Sequence, residues 1–187
     1  MIQAMIAPLV RPRTTYEELC RLPPDGHRYE LFDGEAFVSP SPSLDHQRIL
    51  RRLYEAFSSA IRDASEVFFA PMDVVLGEAT ALQPDLVFVR QGNRRILQDV
   101  IRGVPDLVVE VLSPATAALD RGLKLETYAH FGIPEYWIVD GTSRSIEIHR
   151  LDETAGAYRR VEICQSGDRA STPLLPSLAV DPGVLFG

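Results

Sequence analysis

Apolar residues recur at helical spacing across residues 44–62, where Ile49, Leu50, Leu53, Phe57, Ala60 and Ile61 form one stripe. Ser43 can cap that helix. His46 stands one turn before Leu50 and two before Leu53, which predicts it on the buried side near the helix start. A second helix is predicted over 116–131, ended by Gly132 with Pro134 beyond it. Between the two helices, strands are predicted over 67–76 (interrupted at Pro71), 86–89 and 107–112. The last two are continuous apolar runs, as expected for strands covered on both faces. Residues 136–139 read as another buried strand, and Asp140-Gly141 turns into strands over 145–150 and 158–164.

Upstream, Thr14 and Thr15 with Glu17 and Glu18 three residues on signal a capped short helix ending near Arg21, stopped by Pro23, Pro24 and Gly26. RYELF and EAFVS flank Asp33-Gly34, a pair suited to the type I′ turn of a β-hairpin. The order is therefore hairpin, helix, three strands, helix, strand and a small β extension. It predicts an α/β fold with an αβββαβ core, a mixed central sheet and flanking helices.

The chain has 187 residues, 45% of them hydrophobic, enough for one substantial core. One domain is expected over 1–187, with 1–13 loose. No apolar run approaches the roughly 20 residues that span a bilayer, and the opening segment lacks the features of a secretory signal. A cytoplasmic protein with no membrane role is expected. Cys20 and Cys164 stand alone, which argues against a disulfide framework or a zinc site. A net charge of −7 argues against a broad basic coat for nucleic acid but leaves room for a basic cleft.

Glu110 is the sharpest anomaly, an acid inside the run Leu107-Val108-Val109-Glu110-Val111-Leu112. Burying a carboxylate costs several kcal/mol unless a cation or strong donors compensate it, so something positive should face it. Asp85, after Pro84, opens the strand over 86–89. If that strand neighbours the Glu110 strand, the two acids could share an ion, because adjacent strands lie about 4.8 Å apart. Asp106 fails that test. It is four residues from Glu110 on one strand, roughly 13 Å at about 3.3 Å per residue, and is expected simply to begin its strand. Asp73 is left outside the site, and Trp137 is expected in the core.

Of nineteen basic residues only Lys124 is a lysine. It falls on the helix after the Glu110 strand, sharing a face with Asp120 and Tyr128. From there it could serve a mere Asp120–Lys124 helical pair or reach back to Glu110 and Asp85. Two acids on adjacent strands with one lysine suit a Mg²⁺ site for phosphodiester cleavage, since hard oxygen ligands hold the ion and leave waters on it.

The strings YELFDGE, PDLVFV, PDLVVEVLSPAT and LDRGLKLETYAHFGIPEYWIVD resemble the large bacterial family of restriction endonuclease-like proteins in the PD-(D/E)xK nuclease superfamily. The resemblance covers roughly residues 16–150. It implies a Mg²⁺-dependent DNA endonuclease, with Mn²⁺ able to substitute, and DNA as partner. Asp85 and Glu110 would be metal ligands, joined by the Val111 carbonyl, and Asp85, Glu110 and Lys124 would be catalytic. Glu30 and His46 would face the site as accessory residues, with Asp120 and Tyr128. One position departs from the superfamily pattern: the lysine due two residues after Glu110 is Leu112, so Lys124 would supply the amine from the helix. The rival reading is a non-catalytic nuclease-fold module that binds nucleic acid or a protein partner. Double-strand cleavage by a chain with one site would make a homodimer convenient.

Overall fold

The computed structural model describes residues 13–23 and 25–187. The loose segment expected over 1–13 therefore lies, Arg13 aside, outside the described residues, as does Pro24. Helix α1 (Tyr16–Cys20) opens with the expected capping box: Glu18 N–H donates to Thr15 Oγ1 at 3.2 Å and Thr15 N–H to Glu18 Oε2 at 2.8 Å. Strands β1 (Arg28–Phe32) and β2 (Glu35–Ser39) form the hairpin. Asp33 and Gly34 at its turn take φ of 48° and 87°, the positive values a type I′ turn demands.

Helix α2 (Leu44–Ala60) is capped by the Ser43 hydroxyl, which accepts the His46 N–H. Strands β3 (Glu66–Phe69), β4 (Val74–Gly77), β5 (Thr80–Leu82), β6 (Leu86–Val89), β7 (Ile101–Arg102) and β8 (Leu107–Val111) follow, with a 3₁₀ turn, Gln91–Ile96, before β7. The chain then crosses over through α3 (Ala117–Leu119), a π-helical turn (Asp120–Lys124) and α4 (Leu125–His130). It closes with β9 (Glu135–Asp140), β10 (Ser145–Asp152), β11 (Ala157–Cys164), β12 (Ala170–Thr172), β13 (Leu175–Val180) and α5 (Pro182–Phe186).

The central sheet runs β11-β10-β9-β8-β6-β3. Only β8 and β9 pair in parallel within it, joined by the α3–α4 crossover; its other pairs are antiparallel. This is the mixed sheet expected. A second sheet, β2-β1-β5-β4-β7, carries the N-terminal hairpin. On one face of the central sheet, α2 buries Ile49, Leu50, Leu53, Phe57 and Ala60 against Leu86, Phe88, Val109, Val111 and Trp137. Each Val, Leu, Ile or Phe among them contributes about 1.5–3 kcal/mol on burial. Trp137 is core, with Phe57 packed edge-on at 5.8 Å between ring centroids. On the other face Val87, Val89, Val108, Tyr136 and Ile138 meet Tyr128 of α4 and, from the second sheet, Phe32, Val74, Leu82 and Ile101.

Three sequence expectations are corrected. The strand over 67–76 is two strands in different sheets: β3 pairs with β6, while β4 pairs with β5 and β7. Pro71 between them has no amide for a ladder. The helix over 116–131 is not uniformly α, since a π turn occupies its middle. The strands after Asp140 are not a small extension. β10 and β11 are full members of the central sheet, because Ile146, Ile148 and Cys164 have an apolar core to enter.

Candidate active site

The antiparallel register of β6 and β8 sets Leu86 opposite Val109, which brings Asp85, one residue before β6, opposite Glu110. Alternation then turns both acids to the same face, the one shared by Val108 and Tyr128. The crossover helix returns over that face. Lys124 Nζ lies 2.9 Å from Glu110 Oε1, 2.9 Å from Glu30 Oε1 and 3.6 Å from Asp120 Oδ1. The cation demanded by a buried Glu110 is therefore Lys124, and the pairing reaches well beyond Asp120. Tyr128, one turn on, donates its hydroxyl to Glu110 Oε1 at 2.7 Å.

Asp85 is fixed from two sides. The Val111 N–H donates to its Oδ2 at 2.7 Å, and His46 Nε2 lies 3.0 Å from the same oxygen. A carboxylate only accepts, so Nε2 carries the donated proton and Nδ1 is the ring's other nitrogen. That Nδ1 is buried without a partner. His46 thus faces the site from the N-terminal turn of α2.

Glu30, from β1, accepts the Ser39 hydroxyl at 3.0 Å and the Gln83 N–H at 2.9 Å. Gln83 is the residue that sequence reasoning missed. Its amide side chain donates to Asp73 Oδ1 at 2.7 Å, and the Tyr16 hydroxyl holds the other Asp73 oxygen at 2.7 Å. Gln83 therefore ties Glu30 to a neighbouring polar cluster. Its position just before Pro84-Asp85 was the one signal available. Asp106 accepts Arg90 Nε at 2.6 Å and the Arg90 N–H at 2.9 Å, far from this network in role, as expected for a residue that starts a strand.

Glu30, His46, Asp85, Glu110, Val111, Asp120 and Lys124 line one cavity of about 270 Å³. Of its four carboxylates, Glu30, Glu110 and Asp120 pair with Lys124, whereas Asp85, which Lys124 was also expected to reach, does not; Arg28 is the other cation in the lining. Burial, above all, holds the Glu110 carboxyl well above the usual carboxylate range, with the Asp85, Asp120 and Glu30 charges adding to the rise and Lys124 opposing it. Asp120 is raised too, chiefly by burial, and its Oδ1 accepts no hydrogen bond. Burial alone would lower Lys124, but Glu110, Glu30 and Asp120 outweigh it and leave the amine firmly protonated.

An excess of buried carboxylate over cation is what a metal ion would relieve. Among the described residues no three His, Cys, Asp or Glu side chains converge as ligands of one ion. Asp85 and Glu110, opposite one another on adjacent strands and lining one cavity, are two hard oxygen donors that such an ion could use. Mg²⁺ favours such a sparse set, because it keeps several waters or takes phosphate oxygens in the remaining positions.

A family model described as "Putative restriction endonuclease", Uma2, matches residues 15–183 of the chain. The chain belongs to the Uma2 family. The "Uncharacterized protein slr1290" of Synechocystis sp. (strain ATCC 27184 / PCC 6803 / Kazusa) is 30% identical over 131 residues, which is 67% of this chain and 67% of that protein. The crystal structure of "a putative nuclease belonging to DUF820" from Anabaena variabilis ATCC 29413 superposes with a TM-score of 0.76 at 17% identity. It covers 92% of this Uma2 chain and 97% of the other. The two share a fold. No helix among the described residues is long and apolar enough to cross a membrane.

Proposed function

We propose that this Uma2 protein is a Mg²⁺-dependent DNA endonuclease acting in the cytoplasm, with Mn²⁺ able to replace Mg²⁺. One observation carries the reading: Lys124 Nζ, 2.9 Å from Glu110 Oε1, shares a cavity with Asp85 although position 112 is leucine. A lysine two residues after Glu110 is dispensable when the helix behind the sheet delivers the same ammonium to the same carboxylate.

Asp85, Glu110 and the Val111 carbonyl would hold the ion, whose chemistry when bound is to polarise the phosphodiester and lower the pKa of a coordinated water. His46 and the Val111 N–H fix one Asp85 oxygen and leave the other for the ion. Tyr128 and Lys124 do the same for Glu110 through Oε1. Because Lys124 is held protonated, it donates rather than accepts: it orients the attacking water or a phosphate oxygen and offsets charge that develops in the transition state. Glu30 and Asp120 set its position. Double-strand cleavage by a chain with one such site would make a homodimer convenient.

The test is nicking or linearisation of supercoiled plasmid by purified protein with Mg²⁺ or Mn²⁺, alongside Glu110→Ala and Lys124→Ala. Activity that survives both substitutions would sink the assignment. A second reading, a non-catalytic nuclease-fold module, draws support from the pairing of Lys124 with three protein carboxylates. Calorimetry separates the two: Mn²⁺ binding lost in Asp85→Ala favours the nuclease, and no binding by the parent favours the module.

A further inference from the structure

A second cavity, of about 770 Å³, adjoins the first and shares His46, Val111 and Ser113 with it. His46, which holds Asp85, and Val111 therefore border both cavities. The charged lining of the second is lopsided: Arg48, Arg52 and Arg144 against Asp45. That is a local excess of positive charge on a protein whose net charge is −7.

The three arginines are available. Arg48 and Arg52 stand one turn apart on α2, the helix that also presents His46. Arg48 touches Asp45 at 2.8 Å, but both side chains are more than half exposed, and such a pair is worth little and exchanges readily. Arg52 spends one donor on the Leu185 carbonyl at 2.7 Å, which anchors the guanidinium and leaves other N–H groups over. Arg144 has no carboxylate within ion-pairing distance among the described residues; its guanidinium lies 6.0 Å from the Phe186 ring. Its backbone φ is 53°, a conformation that glycine or asparagine takes more cheaply. From the β9–β10 turn, Arg144 lines the cavity that Arg48 and Arg52 line from α2.

We infer that this groove is the track for the DNA backbone on one side of the scissile phosphate, with Arg48, Arg52 and Arg144 as phosphate contacts. The inference rests on the nuclease reading for the position of that phosphate. It makes a separate claim about binding. Three side chains from two elements would grip successive phosphates and deliver the next one to Asp85 and Glu110, without reading base sequence.

The test is binding of a short fluorescein-labelled DNA duplex by the full chain in EDTA, followed by anisotropy across a salt series. The arginine variants are Arg48→Gln and Arg144→Asn, singly and together. Asparagine suits the positive φ at 144, and neither change disturbs the Arg52 anchor. Arg95→Gln, an exposed arginine in a different cavity, is the control. Each lost contact should lower the slope of log K against log salt by about 0.9 and weaken binding roughly eightfold at about 0.1 M salt. Arg95→Gln should change neither. Unaltered slopes in the double variant, an equal loss in Arg95→Gln, or no DNA binding by the parent would each overturn the track. Cleavage is scored apart: a parent that binds through the groove but never cuts plasmid refutes the nuclease reading and leaves the track standing. A parent that cuts, with groove variants that bind as it does, refutes the track alone.

Discussion

Lys124 Nζ stands 2.9 Å from Glu110 Oε1, across fourteen residues of chain, with the two residues only 4% and 3% exposed. Neither charge is tolerable there alone. Lys124→Met should leave Glu30, Glu110 and Asp120 facing one another with no cation, at a cost of about 3–5 kcal/mol in urea unfolding. Lys124→Arg keeps the charge and should unfold much closer to the parent. Its planar fork cannot reproduce a compact ammonium among three carboxylates, so plasmid cleavage should fall on the order of 10²–10³-fold. An arginine variant as active as the parent would mean that the lysine only balances charge.

Tyr128→Phe removes one donor from Glu110 Oε1 and keeps the ring that packs against Tyr136. Unfolding free energy should drop by about 1 kcal/mol. Mn²⁺ affinity measured by calorimetry should change little, because the hydroxyl serves the oxygen that Lys124 also holds.

His46→Ala should weaken Mn²⁺ binding by about 10–100-fold, the usual consequence of losing a group that orients a metal ligand. Calorimetric titration of the variant beside Asp85→Ala reads this directly. The histidine variant should retain weak binding, and the aspartate variant none.

The pattern of the chain made much of this site legible. The Asp85–Glu110 juxtaposition follows from two adjacent apolar runs, and the burial of Glu110 alone demanded a cation. Helical spacing put Asp120, Lys124 and Tyr128 on one face, and the α2 stripe turned His46 inward. What was not legible depends on long-range partners. β5 and β7 have two or three residues each and exist because β1 and β4 offer them edges. The π turn at 120–124 has no sequence period of its own. Gln83 enters the network through its backbone amide as well as its side chain, and any residue but proline carries an amide.

His149 supplies a pH dependence away from the cavity that holds Glu110 and Lys124. It is packed beside Tyr136 and Tyr158, with Glu147 at 3.6 Å and an unpartnered Nε2. Burial holds its imidazole below the usual value of 6.5, against the pull of Glu147, with Arg160 and Arg121 adding to the fall. The unfolded chain therefore takes up this proton first as pH drops. Stability from the neutral ring is present above about 6.5 and is lost progressively below it. Thermal unfolding of the parent and His149→Gln should show the parent's advantage shrinking from pH 7.5 to pH 5. An advantage that grows on acidification would mean that the folded protein holds the proton instead.

In the proposed function, Asp85, Glu110 and Lys124 form one metal-dependent phosphodiesterase centre. Conversion of supercoiled plasmid to nicked or linear DNA, with Mg²⁺ and with EDTA, tests it most directly when the parent is run beside Glu110→Gln and Lys124→Arg. The predicted result is cleavage by the parent with Mg²⁺ only and essentially none by either variant at equal folded concentration. Cleavage by all three proteins, or by the parent in EDTA, would contradict it.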